Sequence, residues 1–474
     1  MTYSKLVIIK SLIWKLLEKC SVQGVAFIVT VVLARLLSPE EYGIVAIVTI
    51  FLSFSNILIE AGFSTALIQK KGFNNIDFST IFYFSLFVAI IIYTLLFIFS
   101  GTIATFFQEP QLTVIIKVLG VNVFFCAVNS IQKAYVSKSM LFKKMFYSSF
   151  IAATFSGGIA ILLAYFGMGV WALVFYSILS QLLITSIMWM TIKWRPVLSF
   201  SVESFSLLFD FGWKILATQI IISLFINARN IIISKFFSAE MLAYFDKGKQ
   251  LPTLIMDNIN TSIQTILFPV FSESQDDKIR VKNMVRRSIK TNCLFIFPLM
   301  IGLLVTAETL VTVVYTEKWL FMVPFVKIFA ISFMLMPMQL ANMEAVKSLG
   351  YSDITLKLEI IKKLFDVFIL VISVFIGVLA IAWGVVLYNF ICLFINLYPN
   401  IKLLNYSCKE QLQDFLPQLL FAIIMGICIY FIAYIPMSNI LILFLQFVVG
   451  VLIYILLCKF FELECYTYIC NFKR

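Results

Sequence analysis

The stretch LARLLSPEEYG, Leu33 to Gly43, interrupts a long apolar run with a short charged hinge. A second stretch, IISKFFSAEMLAYFDKGK (Ile232 to Lys249), has the same layout in the other half of the chain. Arg35 aligns with Lys235, Ser38 with Ser238 and Glu40 with Glu240. Extending backwards with a single gap sets Trp14-Lys15 against Trp213-Lys214. The hinge has a local meaning. Ser38 precedes Pro39 at a first helical position, and Glu40 and Glu41 follow in the first turn, so the segment reads as a capped helix start. Ser238-Ala239-Glu240 does the same without proline. Each hinge therefore opens the second helix of a repeated unit.

The composition names the solvent. The chain of 474 residues is 62% hydrophobic and only 13% charged. Soluble domains carry roughly 25% charged residues. Apolar runs of about 20 residues, the length that crosses a hydrocarbon core as a helix, recur throughout. They rarely alternate with period two, which argues against a β-barrel. The fold class is all-α integral membrane, with about fourteen transmembrane helices. Their approximate limits are 10–36, 42–66, 78–104, 112–137, 145–166 and 169–192, then 204–236, 240–268, 281–305, 320–346, 352–376 and 380–402, and finally 412–434 and 438–460. Lys15, Glu18 and Lys19 interrupt the first run and no A-x-A-like cleavage site follows, so it is not a signal peptide. The 9 cysteines form no C-x-x-C pair and read as small buried hydrophobes. There is no histidine, hence no common metal ligand or proton shuttle.

With the hinges aligned, spans one to six match spans seven to twelve. An even count sends both halves into the bilayer in the same sense. Two six-helix lobes in a parallel repeat follow, residues 1–200 and 201–405, with two additional helices and a tail at 406–474. Such repeats are expected to enclose a cleft at the bilayer midplane. Loop lysines and arginines fall overwhelmingly on one side, with Arg35, Lys235 and Lys318 on the other. The positive-inside rule then places both termini in the cytoplasm. The net charge of +12 is explained by that topology and by anionic lipid headgroups, and needs no nucleic acid.

Ionisable residues inside spans cost about 3 kcal/mol or more unless they meet a partner or a wet cavity. Here they cluster in particular spans. Lys15, Glu18 and Lys19 share a helix face, Asp210 lies four before Lys214, and Glu359 and Asp366 flank Lys362 and Lys363. A cleft lined by Lys15, Lys19, Lys214, Arg229, Lys247, Lys249, Lys362 and Lys363 would be cationic and would suit an anionic headgroup. Glu60, Asp257, Glu344 and Asp366 are candidates for a coupling ion, H+ or Na+, or are hydrogen-bonded structural acids. Lys10, Lys133 and Lys290 read as snorkelling to the interface. No other cofactor and no metal site is expected.

SPEEYG, ALIQKKG (Ala66 to Gly72), YFDKGKQLP (Tyr244 to Pro252) and LFPVFSE (Leu267 to Glu273), in that order, resemble the polysaccharide transporter family. These are oligosaccharide flippases of the multidrug/oligosaccharidyl-lipid/polysaccharide exporter superfamily, and the likeness runs along the whole chain. The resemblance implies movement of an undecaprenyl-diphosphate-linked glycan across the bacterial inner membrane by alternating access. It implies a cationic cavity for the diphosphate and sugar, with the lipid tail in the bilayer, and possible partners in a polysaccharide polymerase and export machinery. Two alternatives stay open. A drug or cation antiporter of the same superfamily would share the fold. A membrane glycosyltransferase would place acids such as Glu40 and Glu41 in its first outer loop, but the longest outer segment, near 307–319, is short, and Glu240 matches Glu40 as a cap would. No P-loop is present.

Overall fold

The computed structural model describes residues 5–60, 62–69, 74–273 and 277–471. All regular structure among them is helical. Two compact units divide the chain, Met1–Ala243 and Tyr244–Arg474.

The N-terminal unit holds α1 (Lys5–Leu36), α2 (Pro39–Glu60), α3 (Phe63–Gln69), α4 (Asn75–Phe107), α5 (Leu112–Leu119), α6 (Asn122–Lys138), α7 (Phe142–Tyr165), α8 (Val170–Thr191) and α9 (Val202–Phe236). Helix α10 (Ala239–Glu273) begins here and continues into the second unit, which adds α11 (Lys278–Val314), a 3-10 turn (Glu317–Met322), α12 (Val323–Met334) and α13 (Met336–Ser348). It ends with α14 (Ser352–Val374), α15 (Val378–Leu404), α16 (Cys408–Ile432), α17 (Asn439–Phe460) and α18 (Glu464–Asn471).

Among the described residues, 12 helical spans are long and apolar enough to cross a membrane. The count of fourteen is not confirmed. The two expected spans outside that set are α10 and α14. Both are long enough, but Asp246, Lys247, Lys249 and Asp257 in one, and Lys357, Glu359, Lys362, Lys363 and Asp366 in the other, lower their hydropathy. A second difference concerns the expected outer loop near 307–319. Helix α11 continues to Val314 and the 3-10 turn starts at Glu317, so that segment is almost wholly helical.

The hinges start helices as their sequences require. Glu41 Oε2 accepts from the Ser38 amide at 2.7 Å, and the Glu41 amide donates back to Ser38 Oγ at 3.4 Å, a reciprocal cap. Ser238 Oγ accepts from the Met241 amide at 3.0 Å. The fourth span of each half is broken, at Gly120–Val121 between α5 and α6 and at Leu335 between α12 and α13.

In the N-terminal unit α1 packs along α7, and α7 pairs with α8. Helix α9 lies against α2, α3 and α4, so packing groups it with the first six spans. Glycines permit this approach. A Cβ at Gly43 would sit 1.8 Å from the Ala239 carbonyl oxygen, and one at Gly62 would sit 2.6 Å from that of Gly212. In the second unit α14 and α15 form a hairpin, while α16 and α17 pack on α11. Phe297, Met338, Tyr406, Phe421 and Met425 are buried in one core there. Packing does not set the last two helices apart.

Candidate functional site

On α1, Trp14 rests on α7 with ring centroids 5.3 Å from Phe146 and 6.0 Å from Tyr147. Lys15 is exposed, its Nζ 5.5 Å from the Phe142 ring centre. Glu18 is half-buried and accepts from Ser149 Oγ at 3.1 Å. Lys19 is half-buried and Glu60 is exposed at the end of α2. The face at Lys15, Glu18 and Lys19 thus runs beside α7, an aromatic wall that accepts cations over its rings. On α9, Arg229 is half-buried. Two residues earlier, the Asn227 amide donates to Ser53 Oγ of α2 at 3.3 Å and to Ser223 Oγ at 3.0 Å, joining the two helices. The Lys214 side chain lies outside the described residues.

Helix α6 carries polarity that hydropathy averaging conceals. Its Asn122 donates to Ser177 of α8 at 2.9 Å, and its Asn129 to Gln181 at 3.4 Å. Gln132 is fully buried, and its amide meets no partner among the described residues. Amides inside an apolar run were the available signal for this feature.

In the second unit, Lys247 is half-buried and donates to Gln250 Oε1 at 3.2 Å. Lys249 and Lys363 are half-buried, and Asp257 is exposed. Glu344 is buried and paired with Lys347 at 2.9 Å. Lys362 and Asp366 are both buried, and Lys362 binds Glu359 at 2.5 Å, the i,i+3 neighbour that spacing had suggested. A lysine in this position survives burial because the countercharge accompanies it. The candidates therefore divide between the units, with Lys15, Lys19, Glu60, Lys214 and Arg229 in the first and the others in the second.

A cluster missed in the sequence reading fastens the C-terminal helices. Lys282, Arg286 and Lys290 recur every fourth residue along α11. Lys282 reaches Glu410 at 3.0 Å. Arg286 grips Asp414 with two bonds, Nε to Oδ2 at 2.7 Å and Nη2 to Oδ1 at 2.8 Å. Lys290 lies 3.4 Å from Asp414 and 2.5 Å from Glu464, so it is paired rather than snorkelling. The Tyr406 hydroxyl donates to Asp414 at 2.7 Å. Burial and that neighbouring carboxylate hold the Tyr406 phenol above its ordinary range. The hydrogen bond from Lys290 holds Glu464 below the usual carboxylate range. A buried amide network continues inward. Asn342 donates to Gln411 Oε1 at 2.9 Å, and Asn400 donates to the Asn342 carbonyl at 3.0 Å.

At the N-terminal hinge both acids have structural surroundings. Glu41 is committed to the cap. Burial, with the charge of Glu40 second, raises the pKa of Glu109. No cluster of three His, Cys, Asp or Glu side chains able to hold a metal occurs among the described residues.

These helices form a multi-pass membrane protein of transporter architecture. The chain is similar to the structure "Lipid II flippase MurJ, inward closed conformation", with a TM-score of 0.77 at 15% identity, covering 96% of this chain and 99% of that one. It is also similar to an inward-facing multidrug resistance MATE transporter of the MOP superfamily, with a TM-score of 0.60 at 15% identity over 81% of this chain and 96% of that one. Residues 32–324 match the family described as "Polysaccharide biosynthesis protein", and the chain belongs to that family. Its curated relatives include the succinoglycan biosynthesis transport protein ExoT of Rhizobium meliloti (strain 1021), 23% identical over 67% of this chain and 65% of that protein. They also include the teichuronic acid biosynthesis protein TuaB of Bacillus subtilis (strain 168), 24% identical over 64% and 63%. The lipopolysaccharide biosynthesis protein WzxC of Escherichia coli (strain K12) is 22% identical over 67% and 65%. The chain thus spans just under two thirds of the length of the curated relatives it matches.

Proposed function

We propose that this protein is a flippase that moves an undecaprenyl-diphosphate-linked oligosaccharide across the bacterial inner membrane by alternating access through a cationic cavity. The observation that carries the reading is membership of the polysaccharide biosynthesis family in a chain whose fold follows a lipid flippase over 96% of its length. In this reading the candidates for holding the sugar diphosphate are Lys15, Lys19, Lys214, Arg229, Lys247 and Lys249. Lys363 is a further candidate. Lys362, buried and paired with Glu359, is another. Both termini face the cytoplasm, and Glu60, Asp257 and Asp366 are the carboxylates for any H+ or Na+ coupling. Glu344 is the weakest of that set because Lys347 already compensates it. A polysaccharide polymerase and export machinery would take the product.

The test is complementation of a bacterial strain lacking a lipid-linked oligosaccharide flippase. The chain should relieve accumulation of lipid-linked repeat units at the cytoplasmic leaflet. Lys19→Glu and Arg229→Glu should each abolish rescue at undiminished membrane abundance. Rescue that survives reversal of every lysine and arginine named above would overturn the cationic cavity. Absence of rescue by the intact chain with any lipid-linked glycan would overturn the transport reading.

A further inference from the structure

Helices α14 and α15 form an open apolar crevice of about 630 Å³, bordered by Phe368, Ile372, Ala380, Trp383, Leu387 and Phe390 among others. Its α14 wall continues toward the start of that helix through Phe365 and Ile361, each 42% exposed, and ends at exposed Lys357. Steps of three or four residues keep these side chains in one row. The α15 wall continues in the same direction. Phe394 lies 5.0 Å from Phe390, Tyr398 follows one turn on, and exposed Lys402 sits with its Nζ 4.9 Å from the Tyr398 ring centre. The second unit thus carries an apolar trench with a lysine at the same end of each wall. Asp353, one turn before Lys357, is the acid nearest that end on the α14 row. Lys362, Glu359 and Asp366 occupy the adjoining stripe of α14, where Lys362 and Asp366 are buried and Lys362 is neutralised by Glu359.

We propose that this trench binds a long single-chain lipid phosphate, with the phosphate at Lys357 and Lys402 and the hydrocarbon chain running between α14 and α15 into the crevice. Charge complementarity selects an anionic head. Length selects the chain. From Lys357 to Ile372 the row rises about 22 Å at 1.5 Å per residue. One leaflet of a hydrocarbon core near 30 Å thick offers about 15 Å. An ordinary phospholipid anchored at the lysines leaves the crevice unfilled, whereas a longer single chain reaches it. The inference rests on the proposed function only for the natural source of that lipid.

The experiment measures equilibrium binding of a radiolabelled long-chain polyprenyl phosphate to the purified full chain in phosphatidylcholine nanodiscs. Farnesyl phosphate and phosphatidylglycerol serve as competitors. The long-chain probe should bind about tenfold or more tightly than either competitor. Lys357→Glu with Lys402→Glu should lose about tenfold, and the corresponding double arginine variant should retain binding. Ala380→Phe, which fills the crevice, should weaken the long-chain probe and leave farnesyl phosphate unchanged. Equal competition by phosphatidylglycerol or farnesyl phosphate would refute the proposal, as would unchanged long-chain binding in monodisperse Ala380→Phe. Binding with these properties in a chain that rescues no flippase-deficient strain sinks the transport reading alone. Rescue by a chain whose trench binds nothing sinks the trench alone.

Discussion

Replacing Asp414 by asparagine keeps the side-chain shape and removes the charge that ties α16 to α11 and to Tyr406. Asp414 is 3% exposed and is held by both Arg286 bonds, by Lys290 and by the Tyr406 hydroxyl. Deleting one member of a buried ion pair typically costs about 3–5 kcal/mol, because the other charge is left uncompensated. Two features place this site at the lower end. The Arg286 side chain keeps 33% of its surface in solvent. Lys290 retains Glu464. The expected loss is about 3 kcal/mol. Glu464 provides the internal comparison, since its side chain is 81% exposed and an exposed pair contributes about 0–1 kcal/mol. Both variants would be followed by tryptophan fluorescence during denaturant unfolding in mixed micelles, with a double-mutant cycle against Arg286→Met. If Asp414→Asn costs no more than Glu464→Gln, the ladder does not fasten α16 to α11. A coupling between Arg286 and Asp414 indistinguishable from zero would be equally damaging.

Three further outcomes are expected. Gly43→Val should abolish folded protein in the membrane, since even a Cβ would lie 1.8 Å from the Ala239 carbonyl oxygen, whereas Gly101→Ala, with nothing within 4 Å, should be neutral or mildly stabilising; size-exclusion profiles after solubilisation separate the two. Ser38→Ala should cost about 1 kcal/mol through loss of the α2 cap, read from the denaturation midpoint at constant m-value. For Glu464 the folded pKa is depressed, so its stabilisation is present above the ordinary carboxylate pKa and fades as pH falls through the folded value; the wild-type advantage over Glu464→Gln in melting temperature should shrink on acidification, and an advantage that grows instead would contradict the assigned partner.

Much of the architecture was legible because lipid imposes a length rule on apolar helices. The ends of α4, α8 and α15 fall close to the runs that signal them, and Ser38 and Glu41 announce their cap through local chemistry. The i,i+3 spacing of Glu359 and Lys362 likewise points to their bond. What stayed hidden depends on distant partners. Lys282, Arg286 and Lys290 read as loop or interfacial cations because their acids, Glu410, Asp414 and Glu464, lie far along the chain. Hydropathy windows also pass over Asn122, Asn129 and Gln132, whose polar atoms are averaged with the apolar residues of α6. Spacing placed Lys15, Glu18 and Lys19 on one face, but could not reveal that α7 would supply Ser149 and an aromatic wall for it.

The distribution of charge also bears on what would drive the proposed transport. Along α11, cations are matched by acids from α16 and α18, an arrangement that secures helices to one another. Unperturbed lysine and arginine side chains are protonated at neutral pH. The chain has no histidine to titrate there. A proton-driven form of the proposed cycle would draw on a carboxylate, because unperturbed thiols and phenols ionise higher. Among the acids of the proposed function, Asp366 is buried on the stripe of α14 that holds Lys362, so Asp366→Asn is the first substitution to carry into the complementation assay.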